Sequence, residues 1–131
     1  MNTSNSEIAR KLREVAAAYT LKHGNLFQIR AYENVASSIE HSTSEIKDLW
    51  EEKNLDQIPG IGKSLKEHLE ELFKTGKVKH WEEVKKDIPE ATFKFLEIPG
   101  VGPKTALKLA KIGIKDTEDL KEKIKSGKLV E

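Results

Sequence analysis

Ile58-Pro59-Gly60-Ile61-Gly62-Lys63 returns forty positions later, almost unchanged, as Ile98-Pro99-Gly100-Val101-Gly102-Pro103-Lys104. In both copies an apolar residue and a proline precede two glycines that bracket one apolar residue, and a basic helix-forming run follows. Proline fixes φ and removes a donor, while glycine permits φ > 0 and close approach by another molecule. Such a turn is expected to aim main-chain N–H groups outward at the start of the next helix, where unpaired amides and the helix dipole favour an anion such as phosphate. A helix-helix turn kept only for packing has the same composition, so it is the recurrence that carries weight. Neither copy is a dinucleotide fingerprint, because no strand pattern precedes it and the third glycine is missing. Nor is Gly62-Lys63-Ser64 the end of a longer phosphate loop, since the glycine that loop needs five positions earlier is Gln57.

Lysine crowds the stretches after the two turns. Lys63, Lys66, Lys74, Lys77 and Lys79 follow the first, and Lys104, Lys108, Lys111 and Lys115 follow the second. Lys104, Lys108 and Lys111 share one helix face by their i, i+4, i+7 spacing. That face suits a phosphate track, although lysine is also the common way to solvate a helix.

Outward from the turns the apolar spacing is helical. Ile8, Leu12, Val15 and Tyr19 predict a helix from about Ser4 to His23, ended by Gly24. After Asn25 a second helix has Phe27, Tyr32, Val35, Ala36 and Ile39 as inward candidates, with Arg30 on the other side. Ser42-x-x-Glu45 reads as a capping box ahead of Ile46, Leu49 and Trp50. Leu65, Leu69, Leu72 and Phe73 mark a helix after the first turn, ending near Thr75-Gly76, and Val78, Trp81 and Val84 mark a short one. Pro89 is placed to open a helix carrying Ala91, Phe93 and Leu96, and Pro103 to open one with Ala106, Leu107 and Ala110 that Gly113 closes. Asp116 or Thr117 can cap a last helix through Leu120 and Ile124 to near Gly127. No alternating run predicts a strand, so the expected fold is all-α, in two small helical units divided as 1–80 and 81–131. Trp50 and Trp81 fall on apolar faces and read as core.

The 131 residues suffice for one ordinary domain or two very small ones. With 23 Lys and Arg against 22 Asp and Glu, the net charge of +1 argues against a uniformly basic nucleic-acid binder and leaves the local lysine pattern to decide. Without cysteine there is no disulfide, thiolate metal site or cysteine nucleophile. His23, His41, His68 and His80 show no close pair at metal-ligand spacing, and Glu51-Glu52, Glu70-Glu71 and Glu82-Glu83 sit among lysines as solvated surface, which disfavours zinc and metal-nuclease chemistry. The absence of a long apolar run, and the polar start at Met1-Asn2-Thr3, predict a cytoplasmic protein with no membrane association, or a nucleoid-associated one in a bacterium or archaeon.

Helix, Gly-x-Gly turn and basic helix together resemble the helix-hairpin-helix motif. Phe27-Gln28-Ile29-Arg30-Ala31-Tyr32, both turns, Lys74-Thr75-Gly76-Lys77 and Gly113 to Leu120 narrow this further. In that order they resemble the amino-terminal part of family X DNA polymerases across nearly the whole chain. The resemblance implies sequence-independent binding to DNA at gaps or ends, in DNA repair, by a unit acting as a monomer. It implies phosphate contacts at Tyr32, Gly60, Gly62, Lys63, Ser64 and Lys66 in the first unit, and at Gly100, Gly102, Lys104, Thr105 and Lys108 in the second. It further implies a monovalent cation, K⁺ or Na⁺, at each turn, held by the main-chain carbonyls of Asp56, Ile58 and Ile61 and of Leu96, Ile98 and Val101, with no other cofactor required. The position of the family's Schiff-base lysine is His68, which cannot form the stable iminium of a lysine. No catalytic residue is therefore assigned, and Gln28 and Ser64 replace two further basic positions of the phosphate pocket. The polymerase palm with its metal-binding carboxylates falls beyond this stretch, which is not expected to polymerise by itself. Two other readings stay open: a 5′-deoxyribose phosphate lyase using Lys63 or Lys66, and a helical protein-interaction adaptor whose turns serve packing alone.

Overall fold

The computed structural model describes residues 4–114 together with 118, 121 and 122. Among these residues all regular structure is helical. The chain separates into two compact units, 1–86 and 87–131.

In the first unit α1 (Asn5–Leu21) and α2 (Leu26–Glu40) form an antiparallel pair whose facing sides supply most of the core. Ile8, Leu12 and Val15 of α1 meet Val35, Ala36 and Ile39 of α2, all at most 1 % exposed. Ser4 caps α1 through its hydroxyl on the Glu7 amide, and Asn25 caps α2 on the amides of Phe27 and Gln28. Gly24 follows the helix end without being its left-handed residue; His23 takes that role with φ 57°. A Cβ at residue 24 would meet Tyr19 at 3.1 Å, so any larger residue there would crowd the Tyr19 side chain and carbonyl. The short α3 (Ile46–Glu51) and a 3-10 turn (Leu55–Gln57) lead to α4 (Lys63–Thr75), which buries Leu65, Leu69 and Leu72 and ends on Gly76 at φ 88°.

The last helix of this unit, α5 (Lys79–Lys85), corrects the division expected at 80/81. Val78 and Trp81 are buried in the first core, and Glu14 of α1, 7 % exposed, takes Arg10 on one side and the Lys85 ammonium at 2.7 Å on the other. A boundary before Trp81 would expose that indole and strand a buried carboxylate. In the second unit α6 (Glu90–Phe95) and α7 (Pro103–Lys111) pack Phe95 against Ala106 and Ile114, each at most 2 % exposed. Gly113, at φ 89°, closes α7: its amide reaches the Ala110 carbonyl and the Ile114 amide the Leu109 carbonyl, the Schellman pattern.

Three local expectations are corrected. Phe27 is 84 % exposed, because five residues before Tyr32 is about 140° round the helix from the buried face. The Ser42-Glu45 box does not form: Ser42 turns onto the Ser44 amide and carbonyl, Glu45 itself is the N-cap, and the Ile46 amide is satisfied by the Asn5 side chain at 2.8 Å. Pro89 is the residue before α6 and not its first. The expected last helix, with Asp116, Thr117, Leu120, Ile124 and Gly127, lies outside the described residues, as does Lys115.

Both tryptophans of the chain, Trp50 and Trp81, belong to the first unit, so indole fluorescence reports its unfolding alone. Leu69 is 0 % exposed in the middle of α4. Leu69→Ala is expected to cost about 2–5 kcal/mol in urea unfolding followed by that fluorescence. A cost of a few tenths would show that α4 is not seated on this core.

Candidate nucleic-acid interface

The two copies of the repeated stretch fold alike. Ile58 is extended at φ −70°, ψ 119°, as a residue before proline prefers, and Gly60 and Gly100 have φ 82° and 85°. The Ile61 amide closes the first turn on the Ile58 carbonyl at 3.2 Å, and the Val101 amide the second on Ile98 at 3.1 Å. Proline at the second position, a left-handed glycine at the third and this closing bond make each a type II turn. Gly62 and Gly102 then serve as N-caps of α4 and α7 in extended conformation, with φ −97° and −87°.

Neither of these helix starts has a side-chain cap. The first helical bond of α4 runs from the Lys66 amide to the Gly62 carbonyl, so the amides of Lys63, Ser64 and Leu65 have no helical acceptor. In α7 the corresponding bond runs from Ala106 to Gly102, leaving Lys104 and Thr105, while Pro103 has no N–H to offer. A phosphate suits such ends, with the dipole adding to the amides.

The four glycines divide into two kinds. Gly60 and Gly100 answer to conformation, because their φ is one that other residues take at a cost. Gly62 and Gly102 do not: their φ is ordinary, and a Cβ built on either meets no atom within 4 Å. Among the described residues nothing crowds a side chain there, and a capping Ser, Asp or Asn would hold the helix better.

Lys63, Ser64, Lys104, Thr105 and Lys108 are exposed beside the turns. Lys66 is half-buried and its ammonium lies 3.0 Å from the Asp56 carboxylate, so the first turn carries an internal counter-charge. The positions matching Asp56 and Lys66 in the second copy are Leu96 and Ala106, which cannot form such a pair. The carbonyls of Ile58 and Ile98 each accept one turn bond and keep a second lone pair; Ile61 and Val101 close the same turns, while Asp56 and Leu96 lie just before them, in the 3-10 turn and at the end of α6.

Tyr32 is corrected. Only 3 % exposed, it accepts the Trp81 indole N–H at 3.0 Å and meets His68 Nδ1 at 3.2 Å, so its hydroxyl is engaged inside the core. Burial pushes the phenol well above its ordinary value. His68 is brought against His80, which lies twelve residues on in a different helix and which no local spacing could have paired with it. Burial, and then the charge of His80, hold His68 below the usual histidine range. Among the described residues no group of three or more His, Cys, Asp or Glu is placed to hold a metal ion, and no helix is long and apolar enough to cross a membrane.

Two uncapped helix starts on repeated type II turns, one in each unit, define a protein built from two helix-hairpin-helix units. The chain belongs to the helix-hairpin-helix domain family, which matches residues 3–78, and a SAM-like helix-hairpin-helix tandem matches residues 94–130. It is 32% identical over 127 residues, 94% of its own length, to the DNA polymerase/3′-5′ exonuclease PolX of Bacillus subtilis, and 44% identical over 68 residues, 51% of its length, to DNA polymerase lambda of Arabidopsis thaliana. It spans 21% and 13% of the lengths of these two relatives. The matches bear out the resemblance to the amino-terminal region of family X DNA polymerases.

The two kinds of glycine separate in stability. Gly60→Ala is expected to cost about 1–2 kcal/mol, the left-handed penalty, and Gly62→Ala less than about 1 kcal/mol, the weak cap preference. Urea unfolding of both variants checks the order; equal costs would mean that the turn is not of this type.

Proposed function

We propose that the two turns grip the phosphate backbone of DNA at gaps or ends without reading sequence, as the DNA-binding part of a family X repair polymerase or of a relative built on the same units. The observation that carries this reading is the pair Gly62 and Gly102, glycines that neither the backbone nor the packing requires, each at an uncapped helix start. Their use is to let something outside the fold come close. A phosphate placed there accepts the amides of Gly60, Gly62, Lys63 and Ser64 at the first turn, and of Gly100, Gly102, Lys104 and Thr105 at the second. Lys63 and Lys66, and Lys104 and Lys108, then add charge. Tyr32 is left out, since its hydroxyl is engaged internally. The likeness to two proteins named as DNA polymerases supports DNA as the partner.

A cation at each turn belongs to the same proposal. K⁺ or Na⁺ held by the carbonyls of Asp56, Ile58 and Ile61, or of Leu96, Ile98 and Val101, neutralises a phosphate that main-chain amides meet from the other side. The free lone pairs on Ile58 and Ile98 fit this role. Exchanging potassium for a bulky organic cation at equal ionic strength is expected to weaken DNA binding; unchanged affinity would remove the cation from the account.

Fluorescence anisotropy with a short gapped duplex carrying a 5′-phosphate, against intact duplex, tests the main reading. Affinity is expected to fall steeply with salt and to favour the gap. Lys104→Ala with Lys108→Ala is expected to lower the salt slope by about two and to weaken all sequences alike. Gly102→Val, which the extended backbone accepts, is expected to lose affinity without unfolding. Undetectable binding to both duplexes, or undiminished binding by Gly102→Val, would overturn the proposal.

Asp56 supplies a further check, because it holds Lys66 away from an incoming phosphate. Asp56→Asn is expected to tighten binding about 1.5- to 5-fold, the scale of one exposed ion pair. Weaker binding would mean that the aspartate supports the site.

A further inference from the structure

His68 of α4 and His80 of α5 lie face to face, with ring centroids 5.2 Å apart and planes 10° from parallel. Each ring has a phenol partner on the antiparallel pair beneath. Tyr32 of α2 lies 3.2 Å from His68 Nδ1, and Tyr19 of α1 lies 2.5 Å from His80 Nε2. The Trp81 indole N–H can only donate, and it donates to the Tyr32 oxygen at 3.0 Å. The Tyr19 and Tyr32 hydroxyls also lie within hydrogen-bond reach of each other. One arrangement that uses every hydrogen is Trp81 N–H to Tyr32, Tyr32 O–H to His68 Nδ1, and Tyr19 O–H to His80 Nε2. In this arrangement both imidazoles are acceptors at these atoms. Parallel rings point their lone pairs side by side and each toward its own tyrosine, so the stack does not converge on a metal ion.

We propose that the His68–His80 stack is a proton-sensitive latch, closing α4 and α5 onto α1 and α2 at neutral pH and loosening them in mild acid. Protonating His68 turns the acceptor facing the Tyr32 hydroxyl into a donor, so that this hydroxyl must turn away toward Tyr19. It also places a positive charge against the stacked face of His80. The groups around His68 cannot absorb that charge well. Tyr19, Tyr32 and Trp81 are neutral, and burial raises both phenols so that they stay protonated. The carboxylates that favour the charged form are Glu67 and Glu71 of α4 itself, and Glu71 is already engaged by the Lys79 amide at 2.8 Å. Burial and the neighbouring ring outweigh them, which depresses His68 in the folded chain. An unfolded chain takes up that proton first. The contribution of His68 is therefore complete above its unfolded value, about 6.5, and is lost as pH falls from there through the lower folded value.

The test is urea unfolding of the full chain by tryptophan fluorescence from about pH 7.5 to about pH 5.5, with His68→Gln alongside, and the ring signals of the wild type followed by NMR. Over this window Glu7 and Glu40, held below the usual carboxylate range by hydrogen bonds from Arg10 and Arg13, stay ionised and contribute no slope. The wild-type midpoint is expected to fall toward acid, and that of His68→Gln to fall less. The His68 ring is expected to titrate below 6.5, with its protonation moving the Tyr32 and Trp81 side-chain signals. An identical pH slope in wild type and variant overturns the latch. So does a His68 ring that titrates at or above the ordinary histidine value, which decides the matter by itself should the variant fail to fold.

Discussion

A single short hydrogen-bonded turn, closed by an amide on the carbonyl three residues before it, governs where one helix stops and the next begins in each unit. Proline sets the entry and a left-handed glycine sets the exit, so the following helix starts at a fixed angle with its first amides facing out. The amides left without a helical acceptor at both helix starts are placed by that angle. The lysines of α4 and α7 become a surface beside the turn only because the backbone has already presented the helix start.

The two units build unequal surroundings for the same device. The first turn is backed by a core of five helices, with Glu14 tying α5 to α1 and the stacked histidines beside Tyr32 and Trp81. It also carries Asp56 against Lys66. The second turn is backed by two short helices around Phe95, Ala106 and Ile114, and its lysines lie open. The two copies thus differ in their charge setting: the second leaves its lysines open, and the first pairs one of them with an aspartate.

Most of the architecture was legible in the sequence because it is written in local periodicity. Ile8, Leu12 and Val15, or Leu65, Leu69 and Leu72, announce their faces, and the repeated turns announce their conformation through proline and glycine. Phe27 misled because an aromatic residue near a helix start looks inward until its angle to Tyr32 is counted. The Ser42 box misled because a distant side chain, Asn5, took over the capping of Ile46. The pairing of His68 with His80, and the loss of the Tyr32 hydroxyl to Trp81, depend on how α5 lies across α4 and α2, which no window along the chain contains. The same packing moves the division between units from 80/81 to 86/87.

Pro103 has a meaning beyond its missing amide. It restrains Gly102 before it to extended backbone, whereas Gly62 is followed by Lys63 and keeps the full freedom of a glycine. The second turn is thus stiffened already in the unfolded chain at the expense of one N–H donor, while the first keeps its full set of amides and the looser glycine. The repeat has diverged into one copy that trades a donor for a restrained backbone and another that keeps both the donor and the freedom.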